Sequence, residues 1–129
     1  MVNAVLDTNV LVSGLLSASG NPAVIINALR AGRFTLLYTD DIIAEYRDVL
    51  YRDKLGLNTK DVDDLLEEIS KIGFAVLPDK SNVALPDEDD RAFYDTAKSQ
   101  GAYLVTGNLK HFPGDPLIVS ASVFAQLII

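Results

Sequence analysis

Short apolar runs of strand length alternate along this chain with stretches whose apolar residues recur at helical spacing, which restricts it to βα units around a mainly parallel sheet. The strand-like runs are residues 2–6, 34–38, 74–77, 102–105 and 116–119. A helical pattern passes through Val10, Leu11, Leu15 and Leu16, and a second helix takes Asn21 as cap, Pro22 at its first position and Gly32 as its stop. The third helix, 41 to about 52, is capped by Thr39 or Asp40 and carries the stripe Ile42, Ile43, Tyr46, Val49 and Leu50. Residues 60–72 form a fourth helix ending at Gly73, 78–86 a loop and 89–100 another helix, and an apolar helix closes the chain. With 129 residues, 49% apolar, and no linker, repeat or low-complexity segment, residues 1–129 read as a single domain.

Charge narrows the function. Eleven basic residues against 18 acidic ones leave a net charge of −7, the wrong sign for binding nucleic acid through a broad basic surface. A polyanionic substrate must therefore be handled locally. Part of the excess is a solvated face: Asp61, Asp63, Asp64, Glu67 and Glu68 lie opposite the stripe Val62, Leu65, Leu66, Ile69 and Ile72. The absence of Cys excludes a disulfide framework and thiolate metal sites, and suits a reducing cytoplasm. Residues 8–29 carry no charge, yet loop and cap signals at 17–22 interrupt them, so they do not read as a membrane span. The amino terminus, without Lys or Arg and with Asp7 close by, does not read as a secretory signal.

Three acids stand out against that background. Asp7 follows the first apolar run, so its carboxylate belongs at a strand's carboxyl end, where open α/β sheets place their ligands. Glu45 lies three residues after Ile42 and four before Val49, on or beside the inward stripe; the plainer reading is an exposed glutamate paired with Arg47 or Arg52. Asp90 precedes Phe93 and Tyr94 on one side of a helix start, although residues 87–90 also read as an ordinary acidic first turn. If the strands before Asp7 and Thr106 are neighbours at the sheet's switch point, both side chains line one crevice, and the Asp90 turn comes close. Three ionised carboxylates about 5 Å apart repel by roughly 3 kcal/mol per pair at an effective dielectric of about 20, on the order of 10 kcal/mol in all. That rivals the stability of a whole domain, about 5–15 kcal/mol. Protons, a Lys or Arg, or a metal ion must neutralise them, and an all-oxygen carboxylate set suits Mg²⁺ or Mn²⁺ better than Zn²⁺.

These residues resemble the PIN domains, metal-dependent ribonucleases that include the VapC-type toxins of toxin-antitoxin pairs. The stretch 6–10, Leu-Asp-Thr-Asn-Val, is similar to the family's amino-terminal signature, Glu45 to its helical glutamate and Asp90 to its third acid. The tract 97–108 resembles its terminal helix, strand and Thr-x-Asp or Thr-x-Asn turn, and Thr-Gly-Asn-Leu-Lys-His-Phe-Pro at 106–113 resembles a toxin branch. The resemblance implies a three-layer α/β/α sandwich around a parallel sheet of about five strands in order 3-2-1-4-5. It implies that Asp7, Glu45 and Asp90 hold one or two Mg²⁺ or Mn²⁺ ions, with Asn108 where many members carry a fourth acid. An amide there removes a negative charge and weakens a second metal position; Asp115 could compensate, although 114–116 reads first as a turn. Thr8, Asn9, Ser13 and Thr106 are positioned to orient carboxylates or water, or simply to cap helices. Arg91, Lys98, Lys110 and His111 are candidates for phosphate contacts at the rim, with His111 in a rim or structural role rather than a catalytic one.

The activity so implied is hydrolysis of single-stranded RNA by a cation-activated water, leaving a 5′ phosphate. A toxin of this kind meets a small antitoxin whose segment enters the crevice, and an acidic toxin suits a basic one. The apolar end, 123–129, closes the core or forms a homodimer contact. Two other classes stay open: a non-catalytic PIN-like module that binds RNA or protein, and, more distantly, a phosphoacceptor domain like the response-regulator receivers. The last needs adjacent acids after the first strand and an acceptor Asp after a middle one, whereas Thr8 follows Asp7 and Pro78 follows Leu77.

Overall fold

The computed structural model describes residues 1–128. Five strands form one parallel sheet in the order 3-2-1-4-5: β1 (Asn3–Leu6), β2 (Thr35–Tyr38), β3 (Phe74–Ala75), β4 (Tyr103–Val105) and β5 (Ile118–Val119). In β1, Ala4, Val5 and Leu6 are all fully buried. Successive side chains on a strand point to opposite faces, so helices must cover both sides, as the three-layer α/β/α arrangement requires. The helices are α1 (Thr8–Leu16), α2 (Asn21–Arg30), α3 (Asp40–Leu50), α4 (Thr59–Ile72), α5 (Arg91–Gln100) and α6 (Ala121–Leu127). α2 packs on α1 and α6, whereas α5 lies over β1, β2 and β4 and α4 over β2. Gly14 permits the close approach of α1 to α2, since a Cβ there would stand 2.4 Å from Ile26 Cδ1.

Local chemistry sets the element ends. Thr39 caps α3, its hydroxyl accepting from the Ile42 N–H at 3.1 Å, and Asn58 caps α4 in the same way through Asp61. The cap of α2 is Gly20 rather than Asn21, which is already helical. Along α4 the inward stripe is buried at Val62, Leu65, Leu66 and Ile69, but Ile72, one turn further on, is exposed. The acids of its outer face pair with Arg30, Lys60 and Lys71.

The apolar run 74–77 yields only a two-residue edge strand, because β3 has a single neighbour and the chain leaves toward Pro78. Phe74 and Leu77 consequently stand 62% and 95% exposed. The carboxyl-terminal helix closes the core: Phe124 is fully buried and meets the edge of Phe34 at 5.1 Å. Ile129 lies outside the described residues. Among the described residues no single helix is long and apolar enough to cross a membrane; α1 and α2 pass that test only as a pair bent by 99°.

Candidate functional site

β1 sits between β2 and β4, so the connections on its two sides run in opposite directions and leave a crevice at the strands' carboxyl ends. Asp7 occupies that point. Its N–H extends the ladder to Val105 O at 2.9 Å, and its own carbonyl accepts from Val10 N at 3.0 Å to start α1. The carboxylate is thereby held between a strand end and a helix start, only 7% exposed. Thr106, placed by β4, donates its hydroxyl to Asp7 Oδ2 at 2.7 Å while accepting from the Asn108 N–H at 3.0 Å. The Thr106 proton is thus committed to Asp7.

Tyr46 fixes the other walls. Its buried hydroxyl donates to Leu6 O at 2.6 Å, one residue before Asp7, and its ring packs against Phe93 of α5 at 6.1 Å. This contact sets the rotation of α3 so that Glu45, the neighbouring residue, lies half-buried at the crevice edge. Phe93 does the same for α5, three residues after Asp90, which ends a 3-10 turn over Glu88–Asp90. Asp90 Oδ2 meets His111 Nδ1 at 3.1 Å, an ion pair only when the ring is protonated.

Asp7, Glu45, Asp90 and Asn108 therefore line one crevice of about 480 Å³, together with Thr8, Asn9, Ser13 and His111. Thr106 stands behind Asp7. Burial is the leading cause that raises the pKa of each of the three acids. The charge of Asp7 raises Glu45 and Asp90 further, whereas Thr106 and the N–H groups of Thr8 and Asn9 pull Asp7 back, as His111 does Asp90. Asp48 and Asp89 also push Glu45 up, against the opposing charge of Arg52. Asp7 thus disfavours the ionised forms of both Glu45 and Asp90.

Among the described residues no three His, Asp or Glu side chains stand close enough to form a metal-binding group. Asp7 is turned to Thr106 and Asp90 to His111, as uncompensated carboxylates that repel one another would be. The donor chemistry nonetheless fits a hard divalent cation: carboxylate oxygens, an amide carbonyl at Asn108, and the buried Thr8 hydroxyl, which has no hydrogen-bond partner in this wall.

Three of the expected rim residues lie elsewhere. The guanidinium of Arg91 is held by Glu88, by the carbonyls of Ser81 and Val83, and at 3.8 Å by the buried Asp95. Lys98 pairs with Asp115 at 2.5 Å; Asp115 also accepts from Leu117 N, and neither lines the crevice, so Asp115 does not replace the missing fourth acid. Lys110 is exposed outside the crevice wall. Glu45 makes no ion pair with Arg47 or Arg52 among the described residues; Arg52 pairs with Asp48 instead.

Sequence reasoning passed over Arg52, Lys54, Asp87 and Asp89 as crevice residues, and Tyr46 as the anchor beneath it. The one available signal was a tyrosine inside an otherwise aliphatic stripe, since a buried hydroxyl needs a partner. A family model described as a PIN domain matches residues 3–110. No curated protein and no solved structure gives a significant match.

Proposed function

The chain belongs to the PIN-domain family, a nuclease-type fold whose members generally use divalent metals, and from that premise we propose a ribonuclease that hydrolyses phosphodiester bonds of single-stranded RNA. The observation that supports this most is the convergence of Asp7, Glu45 and Asp90 on one crevice, each carboxyl raised by burial and two of them by the charge of Asp7. A buried excess of negative charge is costly, and a proton or a bound cation relieves it; in this reading the cation does.

In this reading Asp7, Glu45 and Asp90 hold Mg²⁺ or Mn²⁺. A cation held there would supply Lewis acidity toward the phosphodiester and lower the pKa of a water. The chain's own residues do the rest. Thr106 donates to Asp7 Oδ2, opposing the upward shift that burial causes, and orients the carboxylate. Asn108 offers a neutral oxygen where a fourth acid would add charge, so a single cation position is favoured over two. Thr8, Asn9 and Ser13 present polar groups along the α1 wall that orient the carboxylates or water. His111 contacts Asp90 through its Nδ1 and, at the crevice wall, is the histidine proposed to meet a substrate phosphate.

The test is cleavage of single-stranded RNA in Mn²⁺ by the parent and by Asp7→Asn. Loss of cutting in the variant, with its thermal transition retained, supports the assignment, and equal cutting by both removes it. The activity is further proposed to be that of a toxin in the cytoplasm, silenced by a basic antitoxin that reaches the acidic crevice. The half-exposed Val123 and Leu127 of α6 are the surface proposed for a homodimer contact, which sedimentation decides.

A second reading, a PIN-like module that binds RNA or protein without cutting, is favoured by one observation: the carboxylates are not drawn into a three-ligand group. Calorimetric titration with Mn²⁺ separates the two, because only the nuclease requires saturable binding that depends on Asp7.

A further inference from the structure

The crevice is not acidic throughout. Its far edge is formed where α3 ends and the chain turns through Asp53–Leu55, and there Arg52 and Lys54 join the wall that holds Asp7, Glu45 and Asp90. Arg52 is close enough for its charge to oppose the upward shift of Glu45. Among the described residues its only ion pair is with Asp48, four residues back on the same helix, and both side chains are well exposed, 45% and 67%. Such a pair is worth little and exchanges readily for a better anion. Lys54 is exposed and has no ion-pair partner among the described residues.

The cations expected at the rim from the sequence differ from these two, since none of Arg91, Lys98 and Lys110 lines the crevice. Arg91 is held by four partners at the start of α5, and Lys98 pairs with Asp115 away from the crevice. In a chain of net charge −7, a polyanion is attracted only where positive groups are both local and uncommitted. Val49 and Leu55, half-buried beside the two cations, supply an apolar surface on which an unstacked base can rest.

We propose that Arg52 and Lys54 form a phosphate-binding lip that grips the backbone of single-stranded RNA next to the phosphodiester presented at Asp7. The inference rests on the ribonuclease reading for its substrate but makes an independent claim about binding. Each cation that neutralises a phosphate of a single strand contributes about 0.7 to the slope of log affinity against log salt, which is about fivefold in affinity at 0.1 M salt. Arg52 adds a planar fork suited to two phosphate oxygens; Lys54 acts as a point charge.

The experiment measures fluorescence anisotropy of a short labelled single-stranded RNA against salt, in an Asp7→Asn background that leaves the RNA whole. Adding Arg52→Gln or Lys54→Gln is expected to weaken binding about fivefold each and to flatten the slope by about 0.7 each. Arg52→Lys keeps the slope, and Lys98→Gln leaves both quantities unchanged. Slopes that do not move in the lip variants, or that move equally in Lys98→Gln, overturn the lip. Cleavage by the parent is scored separately. RNA cut normally with lip variants indistinguishable from the parent defeats this inference alone. RNA bound with a lip-dependent slope, yet never cut, defeats the ribonuclease reading while the lip stands. A parent that neither binds nor cuts RNA defeats both.

Discussion

The two most acidic regions of the molecule have the same residue types and opposite surroundings. On α4, Asp63, Asp64, Glu67 and Glu68 face water, and three of them have Lys60, Lys71 or Arg30 within ion-pair distance. At the sheet's switch point, Asp7 is nearly buried and Glu45 and Asp90 partly so, and the charge of Asp7 opposes the ionisation of the other two. Acid density alone marks nothing, since α4 has more of it. What distinguishes the crevice is carboxylates drawn together and partly withdrawn from solvent, with their pKa values raised, which marks a candidate functional site rather than a solvated face.

The comparison breaks first at Asp7. Asp7→Asn is expected to reduce cation-dependent RNA cleavage by at least about a hundredfold, the scale seen when a group that stabilises transition-state charge is removed; Asp64→Asn on α4 leaves the rate unaltered. Steady-state cleavage assays read both. Next is Thr106→Val, which removes the proton held by Asp7 Oδ2 without opening the site. Cation affinity should fall about 10- to 100-fold, measured by calorimetry, and an unchanged affinity would show that Thr106 is only packing.

The pH dependence sharpens the electrostatic half of the contrast. Burial holds the pKa of Asp7 in the folded protein above its value in the unfolded chain, about 4, so without cation its ionised form weakens the fold. That penalty is full above the raised pKa and disappears as pH falls through it toward the ordinary value. The metal-free Asp7→Asn protein should therefore be more stable than the parent at pH 8, with the gap closing as the pH is lowered toward 4. Urea melts at several pH values test this, and a gap that widens on acidification contradicts the assigned burial. Tyr46→Phe comes next, leaving Leu6 O without its 2.6 Å partner and lowering stability by about 1–2 kcal/mol. Smallest is Asp64→Asn, whose exposed pair with Lys60 accounts for less than about 1 kcal/mol in a thermal melt.

Which parts of this were legible in the sequence follows from how local their causes are. The strand before Asp7, the two-faced α4 and the Thr39 cap are written in neighbouring residues, and all three appear in the structure. The sheet order came from the family resemblance, because pairing between residues nearly a hundred positions apart, such as Leu6 with Val105, leaves no local trace. Without that order Asp7, Glu45 and Asp90 are unconnected acids. The rim was misread for the same reason: Arg91 and Lys98 stand near the Asp90 segment in sequence, yet Glu88, Ser81 and Asp115 take them up, and only the path of the chain after α3 carries Arg52 and Lys54 to the crevice. The third strand was expected over 74–77 but pairs only over Phe74–Ala75, because an apolar run does not show where pairing at a sheet edge ends.

The central claim, that desolvated rather than merely abundant carboxylates draw the cation, is tested most directly by anomalous diffraction from crystals soaked in Mn²⁺. The account predicts a peak in the crevice beside Asp7 and Asp90, absent in Asp7→Asn. Peaks confined to the acidic face of α4, or a crevice peak that survives the substitution, would contradict it.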